Sequence, residues 1–383
     1  VMHKRHISLT ILFLLISLVA LGGCGGGSDP SGALSAWTGT WRSMSTYMDD
    51  PAIVPACEAV AAKTSGYTAG GVLHFLKSMY RCDFAALEIE GSTVTYLQAD
   101  GKTLATVVYQ SAGTAPISGY DSEWNLFEAV ETPQKGYRYL AAVKVHGEDM
   151  KHWHFRYGNK DFASLIGETA NPGWWPTGVG SETTAALVAE DILEEADAYA
   201  TMLGDPLSTW EGRWVSLASF LDDAAMTPAY AAIAAEAQKT GKIYDTAGVK
   251  VFLKQMYATP FAFVEVDGAT VSFLNANGTV LAECRMDYDG QVAMTGFDGY
   301  FWEHFVAGGT CPGYGRLFLT APHSDGEGAM EHWHLRFGDG SAEELANPAF
   351  AMWFPTCTRP ETTVAEFAED MLEEAAAYAS FLP

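Results

Sequence analysis

Six of the chain's ten histidines fall into two matching triads: His146, His152 and His154, then His323, His332 and His334. Each triad ends in His-Trp-His, within "KHWHFRYGNK" (151–160) and "EHWHLRFGDG" (331–340). On a β-strand, residues i and i+2 project to one face, so the paired imidazoles point together and the tryptophan between them points away. Two such imidazoles stand about 6 to 7 Å apart along the strand, and metal–nitrogen bonds of about 2.0 Å let them converge on one ion. His146 and His323, ahead of the pairs, supply a third imidazole from a neighbouring segment. A solitary His-x-His is more often an accident of a polar strand face. Here the histidine inventory argues otherwise: outside the triads stand only His3 and His6 near the start, and His74 and His304, which read as structural. Three imidazoles without a thiolate suit Zn(II), one ion per triad, with Cu(II) or Ni(II) admitted by raw affinity. The fourth position is open to water, a carboxylate or another protein's side chain. Glu331 and Lys151 occupy equivalent places, so a carboxylate there is not shared by both triads.

An open three-histidine site can also activate water for hydrolysis. That chemistry needs a general base and a substrate pocket, and no HExxH, Gly-x-Ser-x-Gly or Walker-type loop occurs. The nearby carboxylates Glu148, Asp149, Asp325 and Glu327 sit in short polar loops, where exposure is the expected state. A binding protein, not an enzyme, is the expected class. The alternative is a lipocalin-like carrier of an apolar ligand, with some of the eleven tryptophans lining a barrel. Aromatics that simply fill the core are the more economical reading.

The elements that must position the triads are written twice. "LSAWTGTWRS" (34–43) returns as "LSTWEGRWVS" (207–216), and "FLKSMYRCDFAALEIEGSTVTYL" (75–97) as "FLKQMYATPFAFVEVDGATVSFL" (252–274). The acidic, alanine-rich "AEDILEEADAYA" (189–200) returns as "AEDMLEEAAAYA". Two copies of one domain are expected, over 34–204 and 207–383. In each, a Trp-rich opening leads to a helical region, such as "TPAYAAIAAEAQKTG", which ends at a glycine. Alternating runs such as "FAFVEVDGATVSFL", folded at Asp-Gly, read as hairpins. The fold class is mainly β with added helices, a barrel or a sandwich, between which periodicity does not decide.

The 383 residues carry 22 Lys and Arg against 47 Asp and Glu, a net charge of −25. Such a chain lacks the basic footprint that nucleic acid requires. Residues 1–24 read as a leader: Lys4 and Arg5 precede an apolar run from Ile7 to Leu21, too short to span a bilayer comfortably. The run ends in Leu21-Gly22-Gly23-Cys24, which resembles the bacterial lipobox, so Cys24 is the expected lipidated residue. Residues 25–33 then form a flexible tether. The expected location is extracytoplasmic, lipid-anchored at the outer membrane facing the periplasm or at the cell surface, where disulfides are permitted.

Taken in order, these motifs resemble the ZinT family of periplasmic zinc-binding proteins. The likeness runs from "LSxWxGxW" (Trp37, Gly39, Trp41; Trp210, Gly212, Trp214) through "KQMYATPF", "CRMDYDG" and the spaced His…HxH to "NPGWWPT" (171–177) and "NPAFAMWFPT" (347–356). The resemblance implies two lipocalin-like (calycin) β-barrels and zinc held by His146, His152 and His154 and by His323, His332 and His334. It also implies a role in zinc capture beside the binding protein of a zinc ABC importer. The tandem arrangement and the lipid anchor depart from the family pattern. Cys284 and Cys311 lie where the family carries a cysteine pair, and the first copy lacks both. Cys57 and Cys82 form a second candidate pair, which leaves Cys357 free or as an alternative partner of Cys311.

Overall fold

The computed structural model describes residues 32–133, 136–167, 170–326 and 329–383. The leader with Cys24, most of the tether, and Glu327 lie outside the described residues. The chain divides into two compact units, one holding residues up to Thr64 and Val72–Met202, the other Ser65–Gly71 and Leu203–Pro383. Each is built on a closed, eight-stranded antiparallel barrel.

The strands of the first barrel are β1 (Gly39–Ser43), β2 (Ala86–Glu90), β3 (Thr93–Leu97), β4 (Thr103–Pro116), β5 (Glu123–Ala129), β6 (Tyr139–Ala142), β7 (His152–Gly158) and β8 (Thr177–Gly180). Each pairs with the next, and β8 closes on β1 with Arg42 opposite Val179. Helices α1 (Val54–Ala61) and α2 (Ala69–Met79) separate β1 from β2, α3 (Phe162–Ile166) follows β7, and α4 (Ala185–Glu194) and α5 (Ala196–Met202) follow β8. The second half repeats this order. Its strands are β9 (Gly212–Ser216), β10 (Phe263–Asp267), β11 (Thr270–Leu274), β12 (Val280–Ala293), β13 (Phe301–Ala307), β14 (Arg316–Leu319), β15 (His332–Gly338) and β16 (Thr356–Thr358). Its helices are α6 (Thr227–Lys239), α7 (Thr246–Met256), α8 (Ala342–Ala346), α9 (Val364–Glu373) and α10 (Ala375–Phe381).

Closure of the first and last strands decides for the barrel over the sandwich. Local chemistry explains the hairpins: Gly91 and Gly268 open the turns β2–β3 and β10–β11 at φ of 60° and 52°, a conformation in which a glycine carries no side-chain penalty. The 14-residue strands β4 and β12 each serve two neighbours, and each slips its register at a bulge, between Ser111 and Gly113 and between Tyr288 and Gly290. A bulge bends a long strand, which is what lets one segment turn the corner of a small barrel.

Side-chain alternation sorts the core. Trp153 and Phe155 point into the first barrel, Trp333 and Leu335 into the second, all at most 1% exposed. Stacked and tilted rings fill both interiors, among them Tyr96 on Tyr137 at 3.9 Å and Phe273 on Tyr314 at 4.0 Å between centroids. These rings occupy the volume that a carried apolar ligand would need, which supports the economical reading of the aromatics. On the outer face of β13 and β14, Trp302 and Phe318 join a separate core with α6, α7 and α9. The histidine pair of β15 belongs to that outer face, because Arg336, in step with His334, stands opposite Phe318.

The cysteines divide the expectations. Cys284 on β12 is bonded to Cys311 in the loop after β13. This excludes the alternative Cys311–Cys357 pairing, and Cys357 is a free buried thiol facing the second barrel's interior. The Cys57–Cys82 pairing is corrected: both are free thiols. Cys57 is buried on α1, whereas Cys82 packs against the first barrel's core with its thiol beside Ser43 and Tyr157. The two cysteines thus serve different packing layers.

Candidate metal centres

In each unit the triad is assembled by a short strand bridge added to the end of the His-Trp-His strand. His146 pairs with His152 through two backbone hydrogen bonds of 2.9 Å, and His323 with His332 through two of 2.8 Å. The Trp-rich opening fixes the segment that brings in the first histidine. Trp37 Nε1 donates to the Val143 carbonyl at 2.8 Å, and Trp210 Nε1 to that of Thr320 at 2.9 Å, each three residues ahead of that histidine. The three candidate ligand atoms of each triad lie within 4.8 Å of one another. A tetrahedral Zn(II) with bonds of about 2.0 to 2.1 Å needs donors about 3.3 Å apart, so modest side-chain adjustment closes the site.

Hydrogen bonds at the far side of each ring decide which nitrogen carries the proton. Nδ1 of His146, His152 and His323 donates to the carbonyls of Lys144, Met150 and Ala321 at 2.9 Å, and that of His332 to Met330 at 3.1 Å. A carbonyl only accepts, so each of these rings carries its proton on Nδ1. The remaining two use threonine. His154 Nδ1 meets Thr177 Oγ1 at 2.9 Å and His334 Nδ1 meets Thr356 Oγ1 at 2.8 Å. Each hydroxyl spends its own proton on a backbone carbonyl, Trp175 or Phe354, at 2.9 Å, and so must accept from the imidazole. All six rings therefore turn a lone pair on Nε2 toward the centre of the triad. Such outer partners orient a metal-binding histidine and raise its basicity.

Burial supports the same state. Desolvation and the neighbouring imidazoles push His154 well below its ordinary value and His334 down to about 3. Desolvation also lowers His146, His152 and His332. Neutral imidazole is the form that ligates.

The closing helix contributes negative charge. Asp370 and Glu374, near the end of α9, line a cleft of about 650 Å³ together with Asp325, Met330 and Glu366. Burial, and then the neighbouring Asp325 carboxylate, raise the carboxyls of Asp370 and Glu374 above their usual range. In the first unit, burial raises Asp191 on α4 to about 6, against a lowering by His146. A carboxylate-lined approach concentrates cations near its mouth.

Sequence reasoning assigned exposure to the loop carboxylates, and Asp325 is exposed, yet its Oδ2 stands 3.6 Å from His332 Nε2. Glu331 is turned elsewhere, into an ion pair with Arg359, whose guanidinium lies over Trp214. The structural reading of His304 holds, since it is buried between Asp289 and Arg316. Sequence reasoning missed four residues. They are Thr177 and Thr356, and the buried arginines Arg156 and Arg336. Arg336 donates to the carbonyls of Leu345, Ala346, Ala351 and Trp353, and Arg156 to those of Leu165 and Trp174. They pin the loops that place Trp175 against His154 and Phe354 against His334. The signal was present: His-Trp-His-x-Arg occurs in both copies, with all three polar residues on one strand face.

Against known proteins, the profile of the family described as "ZinT (YodA) periplasmic lipocalin-like zinc-recruitment" matches residues 30–195 and 201–374. The zinc-binding protein AdcA of Streptococcus pyogenes serotype M1 is 26% identical over 167 residues, which cover 42% of this chain and 32% of that protein. The AdcA of a serotype M3 strain matches to the same extent. The match thus spans about a third of those relatives' length. Among solved structures, the Zn(II)-bound ZinT-like domain of Streptococcus pneumoniae AdcA is similar at 20% identity and a TM-score of 0.35, over 42% of this chain and 89% of that one. Zn(II)-bound AdcA from the same species gives 20% identity and a TM-score of 0.36, over 44% of this chain and 37% of that one.

Proposed function

Because the chain belongs to the ZinT family, matched twice in tandem, we propose that it is a two-site zinc-binding protein that captures Zn(II) outside the cytoplasm. The sites are His146, His152 and His154 in a domain spanning 34–204, and His323, His332 and His334 in a domain spanning 207–383. One observation carries the reading. In both domains every triad imidazole has its Nδ1 proton committed to a carbonyl or to a threonine hydroxyl, which directs three Nε2 lone pairs at one point. Three neutral nitrogens aimed at one point make a centre that can receive a zinc ion.

The protein works by binding, without turnover. It is held at the membrane by lipid on Cys24, an assignment supported by the Leu-Gly-Gly-Cys run after the apolar segment. Its recipient is the binding protein of a zinc importer, in keeping with the recruitment role in the family's description. No helix among the described residues is long and apolar enough to cross a membrane. Zinc titration of the stripped chain tests the core of this reading. Two sites per chain are expected, one lost with His154→Ala and the other with His334→Ala. Uptake that is indifferent to both substitutions would sink it.

A further inference from the structure

The two triads differ in what stands at the fourth position. In the second domain, Asp325 Oδ2 lies 3.6 Å from His332 Nε2, the nitrogen turned to the metal. Two donors that share a tetrahedral zinc with bonds of about 2.0 to 2.1 Å are about 3.3 Å apart, so this carboxylate stands near ligand spacing from His332, while the 4.8 Å group itself holds the three imidazoles alone and Asp325 must turn to join it. Its side chain is 48% exposed, which leaves it free to rotate onto an ion. It also sits among Asp370 and Glu374 at the cleft, and drawing its charge onto a cation relieves that crowding.

The first domain is built otherwise. His332 follows His323 by nine residues, but His152 follows His146 by only six. The shorter loop turns at Gly147, at φ 89°, where a Cβ would stand 2.2 Å from the Met150 carbonyl that receives the His152 proton. The residue two places after the leading histidine is Glu148, exposed, and among the described residues no ion pair joins a carboxylate to His152; Asp191 of α4 bears electrostatically on His146, in the place that Asp370 takes in the second domain.

We propose that Asp325 is the fourth zinc ligand of the second domain, which makes that centre a closed His₃Asp site, whereas the first domain leaves its fourth position to an exchangeable ligand. The two sites of one chain then divide the work: the second retains its ion and the first exchanges it. This inference rests on the zinc reading above.

The test uses the full chain with His146→Ala, which leaves only the second site, loaded with zinc and then challenged with excess chelator. Loss of even an outer-shell partner typically weakens a site about 10- to 100-fold, and loss of a direct ligand does at least that. Asp325→Asn is therefore expected to speed zinc release at least about 10-fold. It should also change the visible spectrum of the cobalt-loaded site, and Asp325→Glu should restore part of both. A converse chain with His323→Ala should release zinc from its first site faster than the His146→Ala chain does from its second. Release and cobalt spectra unchanged by Asp325→Asn would overturn the inference and leave two-site zinc binding intact. A His146→Ala chain that takes up no zinc would overturn the zinc reading before Asp325 is tested.

Discussion

The first domain stitches its barrel with hydroxyl groups where the second uses a disulfide and bare rings. In the first, Tyr96 and Tyr109 share a hydrogen bond of 2.8 Å, Tyr109 donates to the Tyr137 carbonyl, and Asp83 accepts from Tyr137 and Tyr157 at 3.0 and 2.6 Å. The corresponding residues of the second are Phe273, Met286, Tyr314, Pro260 and Phe337, with Cys284 and Cys311 bonded nearby. Val107 takes the place of Cys284 in the first barrel and is likewise buried. Both solutions keep the same strand order and the same inward Trp153 or Trp333. What the difference teaches is that the interior tolerates replacement of one fastening by another. On the outward face the triad histidines, the threonine and the arginine are themselves repeated unchanged, while their neighbours Leu126 and Trp175 become His304 and Phe354.

That contrast can be broken most sharply at the triads. His334→Ala should abolish zinc binding at the second site and leave the first untouched, with His154→Ala giving the mirror result. Calorimetric titration of each variant reads the lost site directly. Next in size is the disulfide. Cross-linking residues 27 apart stabilises by about 3 to 4 kcal/mol in the chain-entropy picture. Reduction, or Cys284→Ala with Cys311→Ala, should therefore lower the second domain's unfolding transition and leave the first domain's in place. Equal loss in both transitions would show that the domains do not unfold independently.

Smaller effects sharpen the comparison of the two sites. Thr356→Ala and Thr177→Ala remove the acceptor that fixes His334 or His154, and each should weaken its own site about 10- to 100-fold. Asp83→Ala strands the hydroxyls of Tyr137 and Tyr157 and should destabilise the first domain alone by about 1 to 3 kcal/mol. Acid should act gently and on both domains when zinc is absent. His334, His154 and their lowered neighbours sit below the ordinary 6.5 in the fold, so the unfolded chain binds more protons. Stability of the metal-free protein should then fall as pH drops through about 6.5. Thermal melts of the stripped chain between pH 8 and about pH 5 read this trend.

Much of this was legible in the letters. Two triads, the i, i+2 spacing, the tandem order of motifs and the hairpin at Asp267-Gly268 all follow from local periodicity, and the structure places each as expected. Three things were not. Barrel closure depends on β8 meeting β1 and β16 meeting β9, contacts over more than a hundred residues that no local pattern encodes. The polarity of the imidazoles depends on Thr177 and Thr356, which look like ordinary strand residues until the neighbouring strand places each beside its histidine, His154 or His334. Asp325 is the exposed loop residue that was expected, but its nearness to His332 was not legible, because only the three-residue lengthening of its loop distinguishes it from Glu148. The Cys57–Cys82 expectation failed because two cysteines confined to one copy need not share a packing layer.

The measurement that bears most directly on the central claim is zinc stoichiometry of the intact chain by titration after chelator treatment, with His154→Ala and His334→Ala alongside. Two ions per chain, falling to one in each variant and to none in the double variant, is the predicted result. A chain that binds no zinc, or one whose binding survives the double variant, would contradict it.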